Sequence, residues 1–162
     1  MWRENMKKKK HVQAHSAKAT TTPENTSWYR VLLAEDDYEM RTLLAMALRK
    51  SGYKVIECSD GTKMVAHLVA FLLPDEYASE PVDLIISDIR MPGVTGLEVL
   101  EAKHEIENFP PMILITAFGD EDTHAVANQF GAAAIFDKPF DVDVLLEKVR
   151  DLLTGSRPVG GN

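Results

Sequence analysis

Apolar and polar positions alternate along this chain in blocks. Short runs of consecutive large apolar residues give way to longer stretches in which such residues recur every three or four positions. The runs lie at Arg30-Val31-Leu32-Leu33-Ala34, Tyr53 to Glu57, Val82 to Ile89 around Leu84-Ile85-Ile86, Met112-Ile113-Leu114-Ile115-Thr116, and Ala133 to Asp137. Unbroken apolar runs bounded by breakers predict strands buried on both faces, the kind found in parallel sheets. Between them Met40, Leu43, Leu44, Ala47 and Leu48 fall at helical spacing, and Gly52 closes that helix. After Ser59-Asp60-Gly61 a helix is predicted from about Thr62 to Leu73, and Pro74 to Pro81 reads as an exposed loop. Another helix opens at Gly96-Leu97-Glu98-Val99-Leu100 and ends before Phe109-Pro110-Pro111, and a further one spans Asp120 to Phe130 up to Gly131. Asp141 is placed to cap the last, whose stripe is Val142, Leu145, Leu146, Val149, Leu152 and Leu153. Five strands alternating with five helices predict an α/β fold, in which right-handed crossovers build a parallel sheet covered on both faces.

Composition narrows the class. At 162 residues, 45% hydrophobic and 27% charged, the chain suits one domain with tails. Its net charge of −7 is unevenly spread: residues 1–30 hold seven Lys/Arg against two acids, and the remainder eleven against twenty-three. An acidic body argues against direct nucleic-acid binding. The head, with Lys7-Lys8-Lys9-Lys10 among Ser, Thr, Asn, Gln and Pro, shows no apolar period and reads as a disordered basic tail over residues 1–28. The Gly- and Pro-containing end, 155–162, reads as a flexible tail. One cysteine, Cys58, excludes an intrachain disulfide and a Cys-based zinc site and fits a reducing cytoplasm. Met64 to Leu73, the longest apolar stretch, is far short of the ~20 residues of a membrane span.

The chemistry lies at the strand ends. The run Asp83-Leu84-Ile85-Ile86-Ser87-Asp88 delivers one carboxylate, and Met91-Pro92-Gly93 then stops the strand, because Pro92 has no N–H and Gly93 tolerates positive φ. Glu35-Asp36-Asp37 ends the first strand, Thr116 the fourth and Lys138 follows the fifth. A parallel sheet points all these tips at one edge, where open α/β sheets bind ligands. Acids without Cys or His among them suit a hard cation such as Mg2+, and a lysine and a hydroxyl beside them suit a phosphoryl group. An aspartate can then act as nucleophile.

These segments, with Lys138-Pro139-Phe140, resemble the receiver domain of bacterial two-component response regulators, of the stand-alone, chemotaxis-regulator-like kind, over residues 29–154. The resemblance implies a flavodoxin-like strand order 2-1-3-4-5. It implies that Asp88 accepts a phosphoryl group from a sensor histidine kinase or phosphotransfer protein. Asp36 and Asp88 would ligate Mg2+ with the Arg90 backbone carbonyl, and Glu35 would act through water. Thr116 would hydrogen-bond the phosphoryl group, Lys138 would pair with it, and a cis bond would precede Pro139. The result would be a cytoplasmic switch rather than a turnover enzyme, monomeric or weakly dimeric, with neither membrane nor nucleic acid as its partner. A target protein would read it on the surface of the fourth helix, fifth strand and last helix. One departure stands out: the fifth-strand position three before the lysine, usually Tyr or Phe in the family, is Ile135, and Phe136 follows it. Arg90 and Phe118 occupy positions that tune phosphoryl lifetime in the family.

Two other readings compete. A haloacid-dehalogenase-type phosphatase also uses Mg2+ and a strand-end Asp, but needs a second Asp two residues on, where Arg90 stands. A receiver fold serving only as an unphosphorylated docking module would not require the full set of acids, Thr and Lys. His67, His104 and His124 are single histidines on predicted helices and read as face residues, and Trp28 and Tyr29 are expected to pack at the start of the first strand.

Overall fold

The computed structural model describes residues 28–72 and 81–155. The predictions for the basic tail, the helix end at Leu73, the loop from Pro74 to Pro81 and the tail 155–162 fall, apart from the edge residues Trp28, Pro81 and Gly155, outside them.

Five strands form one parallel sheet: β1 (Arg30–Ala34), β2 (Lys54–Cys58), β3 (Leu84–Asp88), β4 (Met112–Thr116) and β5 (Ala134–Asp137), in the order β2-β1-β3-β4-β5. The predicted fold class and strand order are those observed. Five helices connect and follow them: α1 (Tyr38–Lys50), α2 (Gly61–Leu72), α3 (Gly96–Ala102), α4 (Glu121–Gln129) and α5 (Val142–Gly155). Alternation within the strands sorts the core into two layers. Leu32, Ala34, Ile85, Met112 and Leu114 face a cluster with Met64 and Leu68 of α2, Val99 and Leu100 of α3 and Ala127 of α4. Val31, Leu33, Leu84, Ile86, Ile113 and Ile115 face Leu44, Ala45 and Leu48 of α1 and Leu145, Val149 and Leu153 of α5. Every residue of β3 and β4 is buried, which is why those runs carry no polar alternation.

Local chemistry sets the helix starts. Asp37 caps α1 by accepting from the Met40 amide at 2.7 Å, so the helix begins two residues before its first apolar position. Thr95 and Glu98 form a reciprocal capping box on α3. The hydrogen bonds from Thr95 hold the Glu98 carboxyl below its usual range. Asp120 caps α4 through the Thr123 amide at 2.8 Å. The third helix is shorter than expected, tightening into a 3-10 turn at Lys103–Glu105 before Asn108 takes a positive φ of 59°. The last helix is slightly longer than its apolar stripe and includes Gly155.

Trp28 departs from expectation. It is 71% exposed, whereas Tyr29 does pack, against the α1–α5 layer. Tyr29 is in phase with Val31 and Leu33, which face that layer, whereas Trp28, two residues ahead of β1 and in phase with Leu32 and Ala34 of the other layer, is not covered by it. Cys58 closes β2 fully buried, and burial pushes its thiol up to about 11, the property of an inert core residue. Among the described residues no helix is long and apolar enough to cross a membrane.

Candidate functional site

At the carboxyl edge of the sheet the central strands end in acid. Asp88 is the last residue of β3 and only 5% exposed, and Glu35, one residue past β1, is fully buried. Each has a fixed orientation. The Arg90 amide donates to Asp88 Oδ1 at 2.8 Å, and the Asp37 amide donates to Glu35 Oε1 at 3.1 Å. Arg41 of α1 holds the turn from β1 into α1 by donating to the Glu35 carbonyl at 2.7 Å.

Lys138 joins the two. Its ammonium donates to Asp88 Oδ2 at 2.7 Å and to Glu35 Oε2 at 2.8 Å. It follows β5 across a sheet edge closed by the Lys138 amide bonding to the Thr116 carbonyl at 2.8 Å, and its bond to Pro139 is cis, as expected. Asp36 completes the acids: one carboxylate oxygen from each of Glu35, Asp36 and Asp88 lies within 4.8 Å of the others. Thr116 closes β4 one residue past Ile115, the register partner of Asp88, and its hydroxyl accepts from the Phe118 amide at 3.1 Å. The sequence pointed to these five residues, and the fold brings them to one edge.

Electrostatics explains why the lysine is where it is. Burial raises the Glu35 carboxyl above its usual range, the Lys138 hydrogen bond opposes this, and the charge of Asp88 adds to the rise. Burial alone would lower Lys138, but its bonds to Asp88 and Glu35 prevail and hold the ammonium above the usual lysine range. Three acids around one ammonium leave the cluster short of positive charge. Carboxylate oxygens without thiol or imidazole are the donors a hard divalent cation takes, so the residues fit Mg2+.

Sequence reasoning named Arg90 and Phe118 but not the contact between them. The Arg90 guanidinium lies 5.0 Å from the centroid of the Phe118 ring, bridging the ends of β3 and β4 beside Asp88. His124 is not a lone face residue: its Nε2 lies 2.8 Å from Asp137 Oδ1. No spacing marks a pair formed between a helix and the next strand. Ile135 packs in the α2–α4 layer, whereas Phe136 faces the opposite layer with its ring 5.6 Å from that of Phe140.

Comparison with known proteins agrees with this geometry. Residues 31–150 match the response regulator receiver domain. The chain is 29% identical over 124 residues to the sporulation initiation phosphotransferase F of Bacillus subtilis, covering 76% of this chain and 93% of that protein. It is 35% identical to the C4-dicarboxylate transport transcriptional regulatory protein DctD of Pseudomonas aeruginosa, over 80% of this chain but only 26% of that one. Among solved structures it is similar to a Francisella response regulator 1452 receiver domain, with a TM-score of 0.70, 20% identity, and coverage of 80% of this chain and 99% of that chain. It is also similar to chemotaxis protein CheY4 of Vibrio cholerae, with a TM-score of 0.62, 26% identity, and coverage of 77% and 98%.

Proposed function

The chain belongs to the response regulator receiver domain family, and on that premise we propose that residues 29–154 act as a phosphorylation-dependent switch whose acceptor is Asp88. The observation that carries this reading is the Asp88 carboxylate, recessed at the end of the central strand, 2.7 Å from the Lys138 ammonium and grouped with Glu35 and Asp36. In the proposed step a carboxylate oxygen of Asp88 attacks the phosphorus of a phosphohistidine on a sensor kinase or phosphotransfer protein. The O–P bond forms, the P–N bond breaks, and its electron pair returns to the imidazole. Lys138 would follow the charge from the carboxylate to the phosphoryl oxygens, and the Thr116 hydroxyl would donate to one of them.

Asp36, Asp88 and the Arg90 carbonyl would hold Mg2+. Both Glu35 oxygens already accept hydrogen bonds, which suits contact through water. Bound there, the ion would offset the charge between acceptor and donor. The signal would pass to a protein partner on the α4, β5 and α5 surface, in a cytoplasmic setting and without turnover of a substrate.

The test uses the whole chain with Mg2+ and a small acyl phosphate as donor, followed by borohydride reduction of the acyl-phosphate bond. Asp88 should appear as homoserine, and reduction at another acid, or none, would overturn the assignment. The metal has its own readout. Mg2+ should raise the Tm of the wild type, and Asp36→Ala should weaken the Mg2+ affinity roughly tenfold or more through the lost charge. An undiminished response would remove Asp36 from the ligand set.

A further inference from the structure

Helix α4 is lightly held. Of its nine residues only Ala127 is buried, and Val126 is 38% exposed, whereas α1 and α5 each bury three apolar residues. Against so small an apolar contact, one polar link carries weight. That link is the 2.8 Å hydrogen bond donated by His124 Nε2 on α4 to Asp137 Oδ1 at the end of β5.

Both ends of this bond lead back to the acidic cluster. Asp137 directly precedes Lys138, whose ammonium bridges Asp88 and Glu35. On the other side, the segment from Thr116 to Asp120 leads from β4 into α4, and the Phe118 amide is tied to the Thr116 hydroxyl. Gly119 of that segment presses on the pair. A Cβ there would collide with Asp137 Oδ1 and come 2.6 Å from His124 Nε2, so loop backbone and latch are in direct contact with no side chain to absorb a shift. An open hollow of about 400 Å3, lined by Gly119, Glu121, His124, Ala125, Asn128 and Asp137, leaves room for the imidazole to move.

We propose that the His124–Asp137 hydrogen bond is a latch that holds α4 against β5 in the resting state and opens when Lys138 and Thr116 close on a phosphoryl group. The proposal rests on Asp88 being the acceptor. Lys138 following the new charge carries Asp137 with it, and Thr116 turning its hydroxyl inward carries Phe118 and Gly119. The two displacements act on one bond from opposite ends. A contact made only in the resting state opposes the active state, so by linkage its removal strengthens binding of whatever favours that state.

Beryllofluoride with Mg2+, a phosphoryl mimic, supplies the test on the full chain, with amide shifts as readout. In the wild type the mimic should move the amides of Gly119 and of α4. His124→Ala and Asp137→Ala should each raise the apparent affinity for the mimic about three- to tenfold, the scale set by one hydrogen bond. The double variant should gain no more than either single one. His124→Gln, which can still donate to Asp137, should return most of the way to wild type. Unchanged or weaker affinity in both alanine variants, with their thermal stability intact, would overturn the latch while leaving the acceptor in place. A wild type that binds no mimic at all would instead overturn the acceptor reading and the latch with it.

Discussion

Asp88→Asn is expected to take up no phosphoryl group, with labelling by a small acyl phosphate falling to background while the chain stays folded. The amide has no anionic oxygen to attack phosphorus, and no other acid at the site shares the geometry of Asp88. Glu35 is fully buried with both oxygens occupied, and Asp36 lies on the exposed turn after β1. Two opposing effects act on stability. Removing one of three clustered acids relieves repulsion, but an asparagine can accept from only one of the two donors, Lys138 Nζ and the Arg90 amide, that the carboxylate now satisfies. The Tm in the absence of Mg2+ should therefore stay within a few degrees of wild type, by a net change of about 1 kcal/mol. The Tm rise on adding Mg2+ should shrink, because a ligand charge is gone. Labelling that survives at another residue would show that the acceptor lies elsewhere.

Lys138→Ala is expected to be the most destabilising change at the site, on the order of 3 kcal/mol near neutral pH without Mg2+, as when one partner of a buried ion pair is removed. In a domain of this size that is a Tm fall of roughly 10 °C. Two acids lose their shared counter-ion, and the side chain of one of them, Glu35, has no exposed surface. The pH dependence has a definite sign. Because the Glu35 carboxyl is raised in the fold, its contribution favours the folded state below the ordinary glutamate value of 4.5 and turns unfavourable as pH rises through the raised value. Without Lys138 that penalty deepens, so the gap between variant and wild type should narrow as pH falls and widen towards neutrality. Saturating Mg2+ should recover part of the loss, since a cation at the same cluster replaces the missing charge. Chemical denaturation across pH, with and without Mg2+, reads all of this. A gap that does not depend on pH would mean that Lys138 stabilises the fold by packing and not by charge.

The parts legible in the sequence were those decided by burial and by local chemistry. Leu84-Ile85-Ile86 and Met112 to Thr116 are unbroken because both layers cover β3 and β4, and a parallel sheet follows from their alternation with helices, whereas the order β2-β1-β3-β4-β5 was implied only by the family resemblance. Glu35, Asp36, Asp88, Thr116 and Lys138 were legible as a group because a parallel sheet sends every strand end to one edge. Less visible was what the side chains do once they arrive. That Lys138 already bridges two acids depends on the reach of its side chain across the edge from β5, which no one-dimensional pattern encodes. The His124–Asp137 pair, thirteen residues apart, depends on where α4 settles after a loop. Trp28 was misplaced because it stands two residues ahead of β1, where the layer that buries Leu32 and Ala34 leaves it 71% exposed.

The recess of Asp88 has a consequence for fidelity. The Asp88 side chain is only 7% exposed, and two residues on the Arg90 guanidinium lies over the Phe118 ring. A flat protein surface cannot bring phosphorus to that depth. On the proposed function a protein donor has to reach in, as a histidine ring projecting from a helix can, while a free small acyl phosphate enters unaided. On that proposal, reach screens protein donors before any docking contact does. The depth of one carboxylate would thus set a first requirement on the partner's shape, ahead of any surface complementarity.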